Sequence, residues 1–157
     1  METIDVAVVG AGVSGLWILP VMSPKGLLTS IDDEVENAKL AKQAFDEAGI
    51  PTSRYRLISG NSREIVTKLA DSLYDLFILR KTEDLLESIE SAHRSLRPGG
   101  ILVLDKALLS GKVADPTQRD ESTIALREAI KVIKEARELW LSMLLPVGDG
   151  VLVATKL

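Results

Sequence analysis

The sequence predicts an α/β fold, a doubly wound and mostly parallel sheet with an antiparallel C-terminal hairpin. Three observations carry this. Short β-branched apolar runs alternate with helical patterns over most of the chain, the arrangement that gives a parallel sheet covered on both faces by right-handed crossovers. A glycine-rich turn, "VVGAGVSG", closes the first apolar run. The tail breaks the alternation: Leu139–Pro146 and Val151–Thr155 are two apolar runs joined by Val147-Gly148-Asp149-Gly150, which reads as a hairpin.

The elements follow in order. Val6–Val9 is a buried strand ending at Gly10. A helix runs from about Val13 to Val21, with an early or irregular end imposed by Pro20 and Pro24. Leu27–Ile31 is the second strand. Glu34–Ala48 is a helix with Val35, Ala38, Leu40, Ala41, Ala44, Phe45 and Ala48 as its apolar stripe and acids in its first turn. Tyr55–Ser59 is the third strand, and Arg63–Leu69 a short helix capped by Asn61 or Ser62. Tyr74–Leu79 is the fourth strand, followed by a helix over Glu83–Leu96 with Thr82 as its cap. Arg97-Pro98-Gly99-Gly100 reads as a turn before a fifth strand, Ile101–Leu104, which ends at Asp105. After a polar loop, Ser122–Arg137 is a helix with Ile124, Leu126, Ile130 and Ile133 on its apolar side.

Composition excludes several functions. A length of 157 residues suits one domain, 1–157. The net charge of −4 with scattered basic residues argues against a nucleic-acid surface. The absence of cysteine excludes disulfides, zinc–thiolate sites and thiol catalysis. No apolar run approaches the roughly 20 residues of a membrane span, and no signal-peptide pattern opens the chain. A cytoplasmic domain with no membrane partner is expected.

In sheets of this kind ligands bind beyond the carboxyl ends of the strands, at the switch in strand order. That selects Gly10–Gly15, Asp32–Asp33, Gly60–Ser62, Leu79–Lys81 and Asp105–Lys106. Gly10, Gly12 and Gly15 satisfy G-x-G-x-x-G, and Asp32 ends the second apolar run 22 residues after Gly10. Glycines let a ligand approach the backbone, the next helix presents free N–H groups, and Asp32 can accept hydrogen bonds from ribose hydroxyls. An adenine dinucleotide and S-adenosylmethionine both carry that ribose. Asp32-Asp33-Glu34, with no arginine beside it, suits a cationic ligand better than a 2′-phosphate.

The turn "LRPGGILVLD" and the closing hairpin resemble the Rossmann-like class I S-adenosylmethionine-dependent methyltransferase fold, a seven-stranded sheet with its last strand antiparallel. "GAGVSGLWIL", "GLLTSID", "YRLISGNS", "YDLFIL", "LRPGGILVLD", "GKVADPTQRDESTIALRE" and "LLPVGDGVLVATK" occur in this order. Together they resemble the catechol-O-methyltransferase-like family of bacterial O-methyltransferases, especially its actinobacterial members, over essentially the whole chain. "VADP…RD…T.ALRE" and "LLPVGDG" are the most specific parts, because no general Rossmann argument predicts them.

The resemblance implies methyl transfer from S-adenosyl-L-methionine to the hydroxyl of a small molecule, with a homodimer as the candidate assembly. It implies cofactor contacts from the glycine loop (Val8, Val9, Gly10, Gly12), from Ser14 on the methionine part, from Asp32 and Asp33 on the ribose side, and from Asn61 and Ser62 near adenine. Val6 and Val8 depart from it, standing where the family has an acid and a first glycine. The catalytic side departs further. Many members hold a divalent metal with an Asp after the fourth strand and an Asp-Asn pair after the fifth; here Leu79 or Arg80 and Asp105-Lys106 stand there. Asp105 alone is a poor ligand set for a hard cation, so no divalent metal is expected. Instead, the Lys106 ammonium is expected where the metal would sit, paired with Asp105. Lys81 corresponds to a family lysine near the reacting hydroxyl, although a solvated charge before a helix is the plainer reading. Asp105, Lys106 and Lys81 are the candidate catalytic residues. His93 reads as a helix-surface residue, and Trp17 and Trp140 as packing residues.

Family members carry helices before the first strand; this chain opens on the strand, so a domain without that helical cap is expected. Two alternatives stand beside the enzyme. A catalytically impaired, cofactor-binding family member is favoured by Val6, Val8, Leu79, Lys106 and the missing cap. A small NAD- or FAD-binding Rossmann domain is favoured only by the glycine motif.

Overall fold

The computed structural model describes residues 3–10, 12–80 and 83–157. The strands are β1 (Val6–Val9), β2 (Leu28–Asp32), β3 (Tyr55–Ser59), β4 (Tyr74–Leu79), β5 (Leu96–Asp105), β6 (Trp140–Leu145) and β7 (Val151–Lys156). The helices are α1 (Gly15–Ile18), α2 (Val35–Glu47), α3 (Ser62–Val66), α4 (Leu85–Ser95) and α5 (Glu121–Glu135). Among the described residues these strands form one seven-stranded sheet in the order β3-β2-β1-β4-β5-β7-β6. Pairing is parallel from β3 to β5, and β7 runs antiparallel to both β5 and β6. The expected fold class and closing hairpin are both present.

Strand alternation sends side chains to two cores. Val6, Val8 and Leu28 pack under α2 with Ala41, Phe45 and Tyr55; the Phe45 and Tyr55 rings meet edge-on at 4.8 Å. Ala7, Val9, Ile31, Phe77, Leu79, Leu102 and Leu104 pack on the other face under α4 and α5. Each such buried aliphatic or aromatic side chain contributes about 1.5–3 kcal/mol of transfer free energy.

Several local expectations change. The helix expected over Val13–Val21 is a 3-10 turn, Gly12–Ser14, followed by one short turn of α-helix ending at Ile18, two residues before Pro20. The stripe of α2 is narrower than its periodicity implies: Ala41 and Phe45 are buried, while Val35 and Leu40 are exposed. Ile124 on α5 likewise faces outward. Helix α4 starts at Leu85, with Asp84 at its N-cap in the left-handed region (φ 50°); the expected cap, Thr82, lies outside the described residues. Arg97–Gly100 is not a turn ahead of β5 but lies within it: Tyr74 pairs with Leu96 and Leu76 with Ile101, so the extra residues bulge from the ladder. Pro98 has no N–H to donate and Gly99 takes a φ of 79°, which confines the irregularity there.

The two most family-specific stretches meet on one segment, residues 106–120, between β5 and α5. Arg127 of "ALRE" donates to the carbonyls of Lys112, Val113, Asp115 and Gln118. Asp120 caps α5 through the Thr123 N–H and hydroxyl, and Asp115 accepts from Thr117 and Gln118. These hydrogen bonds hold both carboxyls below their usual pKa. From the hairpin turn, the carbonyls of Asp149 and Gly150 accept from Leu108 and Ala107, each at 2.8 Å, and the Asp149 carboxylate accepts from Ser110 N–H. Lys106, Leu109 and Ser110 all take left-handed φ values, 56°, 47° and 54°, conformations that cost non-glycine residues energy and persist only where contacts hold them.

His93 is a correction. It is half-buried between α4 and β6, its ring edge-on to Trp140 at 5.0 Å, and its Nε2 is buried without a hydrogen-bond partner. Burial, with the Lys156 ammonium second, lowers its pKa. Trp140 packs in the core as expected, whereas Trp17 is 85% exposed and packs little.

Candidate functional site

Strand register assembles the site. Val9 pairs with Ile31 on one side and Leu79 on the other, and Leu79 pairs with Leu104. The residues one step beyond that row are Gly10, Asp32, Arg80 and Asp105. The order reverses between β1 and β4, where a doubly wound sheet opens its crevice. A cleft of about 350 Å³ lies there, lined by Val9, Gly10, Ile31, Asp32, Asp33, Ser62, Arg80, Glu83, Asp105, Lys106 and Leu109.

On the β1–β3 side Asp32 is held by near neighbours in the chain, and Gly10 and Asp33 by adjoining elements. Gly10 takes a φ of 93°, which a side chain rarely adopts, and its N–H donates to the Ile31 carbonyl at 2.8 Å. Asp32 is 8% exposed; its Oδ1 accepts from Glu34 N–H and from Asn37 Nδ2, each at 2.9 Å, which sets the carboxylate plane. Asp33 Oδ1 accepts from Ser62 N–H at 2.7 Å, tying the end of β2 to the start of α3. Asn61 caps α3 through Glu64 N–H.

Gly15, the third glycine of the motif, serves packing. A Cβ there would lie 2.5 Å from both Leu28 Cδ2 and Phe45 Cζ. Because α1 is only four residues long, the loop's value to a ligand rests on Gly10 and backbone approach rather than on a helix dipole.

The β4–β5 side is built differently. Arg80 Nε donates to Asp105 Oδ2 at 2.9 Å, and Arg80 Nη1 donates to Ser14 Oγ on the glycine loop. The side chains of Arg80 and Asp105 are each about 30% exposed (29% and 30%). Lys106 meets Asp105 through its backbone N–H, at 2.8 Å from Oδ1. The cation on Asp105 is therefore the Arg80 guanidinium, where the Lys106 ammonium was expected. Among the described residues no group of three or more His, Cys, Asp or Glu side chains could hold a metal. The residues present do not fit a divalent ion, because the one carboxylate of the expected ligand set carries a guanidinium.

Of the expected site residues, the cleft brings together Val9, Gly10, Asp32, Asp33, Ser62, Asp105 and Lys106. Ser14 joins them through Arg80, while Gly12 and Asn61 flank them. Val8 is 1% exposed, points into the core under α2 and does not line the cleft; alternation along β1 puts Val9, not Val8, on the cleft side. Lys81 lies outside the described residues. Glu83 and Leu109 were not among the expected site residues, whereas Arg80 lay within the selected stretch Leu79–Lys81 but was given no role.

The chain matches the model of a family described as O-methyltransferase over residues 2–157. It is 49% identical over 148 residues to a Mycolicibacterium paratuberculosis protein named "Putative O-methyltransferase", covering 94% of this chain and 66% of that one. A Mycobacterium tuberculosis protein of the same name matches at 49% over the same shares. The chain thus spans just under two thirds of the length of these curated relatives. A Corynebacterium glutamicum crystal structure superimposes with a TM-score of 0.88 at 36% identity, over 96% of this chain and 71% of that one. The O-methyltransferase TomG from Streptomyces achromogenes, solved in complex with SAM, shares the fold with a TM-score of 0.85 at 23% identity, over 99% of this chain and 74% of that one. No helix among the described residues is long and apolar enough to cross a membrane. The family match runs through the 106–120 segment and the hairpin, which a dinucleotide-binding domain leaves unexplained, and this chain belongs to the O-methyltransferase family.

Proposed function

We propose that the cleft binds S-adenosylmethionine and that the chain transfers its methyl group to the hydroxyl of a small molecule. The observation that carries this reading is the row of strand ends, in which a left-handed glycine, an oriented buried carboxylate and a second carboxylate share one cleft. The donor set fits the cofactor: Asp32 offers an oriented acceptor to ribose hydroxyls, Gly10 lets the ligand approach the backbone, and the volume is in the range of small-molecule sites. Family membership and the SAM-bound fold relative support the same choice.

When bound, the cofactor supplies an electrophilic methyl group on a sulfonium. The chain's part is positioning. Asp105, its two oxygens set by Arg80 and by the Lys106 N–H, accepts a hydrogen bond from the acceptor hydroxyl and aims its oxygen across the cleft. Lys106 lies at the rim beside it, and Lys81 keeps its sequence-based assignment near the acceptor. A homodimer and a cytoplasmic location, expected from the resemblance and the composition, belong to the same reading.

A second reading, a cofactor-binding family member without turnover, is favoured by the Arg80–Asp105 pair, which occupies the main polar group on the acceptor side. Two measurements decide. Calorimetric titration is expected to show binding of S-adenosylhomocysteine and none of NAD; the reverse overturns the cofactor assignment. Labelled-methyl transfer to a panel of phenols and catechols is expected to proceed equally with Mg²⁺ or a chelator, and binding without any transfer selects the second reading.

A further inference from the structure

We propose that Arg80 is the cofactor's carboxylate receptor, a specificity-determining residue that links the glycine loop to the end of β5. The assignment rests on the reading of the cleft as an S-adenosylmethionine site. A ligand whose ribose lies on Asp32 has two directions along the row of strand ends. The adenine goes toward β3, where Ser62 and Asp33 stand, so the amino-acid part passes over β1 and β4. There it meets Gly10, Ser14 and Arg80. The stem of Arg80 lies against Gly10: the Arg80 backbone N–H donates to the Val9 carbonyl at 3.1 Å, and a Cβ on Gly10 would stand 3.5 Å from Arg80 Cβ.

Charge points the same way. Asp32, Asp33, Glu83 and Asp105 all line this cleft, so an incoming carboxylate faces a negative field that a cation must offset. Lys106 stands at the β5 end, whereas the Arg80 guanidinium reaches the glycine loop itself through Ser14 Oγ. A guanidinium carries five N–H donors in a planar fork, and the bonds to Asp105 and Ser14 employ two of them. The fork matches a carboxylate, which a lysine ammonium does only as a point charge.

The test is calorimetric titration of the full chain, as wild type, Arg80→Gln and Arg80→Lys, with two ligands. One is S-adenosylhomocysteine; the other is its decarboxylated analogue, which keeps the adenosine, sulfur and amine. Wild type is expected to prefer S-adenosylhomocysteine by about 10- to 100-fold, the scale of hydrogen bonds to a charged group. Arg80→Gln is expected to abolish that preference while binding the analogue within about twofold of wild type, and Arg80→Lys to restore part of it. Equal weakening of both ligands, or no change in their ratio, overturns the assignment. An unchanged ratio with lost methyl transfer also overturns it and moves Arg80 to the acceptor side. Should Arg80→Gln fail to fold, the wild-type ratio decides, and a ratio near one overturns the assignment. Wild type binding neither ligand overturns the functional reading itself, and this assignment with it.

Discussion

The two sides of the cleft are held by different kinds of contact. On the β1–β3 side, Asp32 is set by donors two and five residues away, Glu34 N–H and Asn37 Nδ2, and Gly10 by its own backbone conformation. On the β4–β5 side, Arg80 reaches 25 residues to Asp105 and 66 residues to Ser14, and the segment after Asp105 is anchored 39 residues away on Asp149. On the first side the orientation of Asp32 is a product of local chain chemistry, while Gly10 and Asp33 also bond to Ile31 and Ser62 farther along the chain. The second depends on the whole sheet being in register. A change on the first side should act on cofactor binding through one short stretch; on the second, the proposed carboxylate contact of Arg80 apart, a change should act on the acceptor and on the 106–120 segment together.

The largest expected effect tests the first side. With Asp32 as the proposed ribose acceptor, Asp32→Ala should weaken S-adenosylhomocysteine binding about 100-fold, from two hydrogen bonds to a charged group at roughly 1.5 kcal/mol each. Asp105→Asn should leave that affinity within about twofold while lowering methyl transfer at least tenfold. Equal effects of the two substitutions on affinity would erase the distinction between the sides.

Next in size is Arg127→Ala, which deprives four carbonyls of the 112–118 stretch of their guanidinium. A loss of about 1.5–3 kcal/mol in urea denaturation is expected, with faster amide exchange over residues 106–118 and unchanged cofactor affinity. Protection unchanged in that segment would show that the hairpin turn alone holds it.

Gly15→Ala follows, at about 1–3 kcal/mol, because the added methyl meets Leu28 and Phe45. Stability should fall more than cofactor affinity does. The opposite order would return Gly15 to the ligand loop and weaken the claim that Gly10 carries it.

The smallest effect comes from outside the cleft and serves as its control. Burial lowers the His93 pKa in the folded chain below the reference value of 6.5, so the unfolded chain binds the proton more readily. The contribution of His93 to stability is full above about pH 6.5 and declines as pH falls through that value toward the folded pKa. Urea midpoints of wild type should fall over this window, and those of His93→Leu should fall less. Identical profiles would place the acid sensitivity elsewhere.

Much of this fold was legible because its signals are local. Val6–Val9, Tyr55–Ser59 and Tyr74–Leu79 appear with the bounds their apolar runs imply, and Asn61 caps α3 as its side chain chemistry suits. Legibility failed where a neighbour far along the chain decides. Arg97–Gly100 has the composition of a turn, yet β4 draws it into β5 as a bulge. Leu40 and Ile124 satisfy helical periodicity, but no layer covers them among the described residues. His93 resembles a surface residue until Trp140 arrives from β6.

The sequence by itself determined the order of elements, the closing hairpin and the placement of Gly10 and Asp32 at strand ends, since periodicity and glycine conformation act within a few residues. Tertiary structure alone decided that Arg80, not Lys106, sits on Asp105, that Val8 faces away from the cleft, and that "ALRE" and "VGDG" brace one segment beside the cleft. Those outcomes follow from strand register, which aligns residues that no local pattern relates.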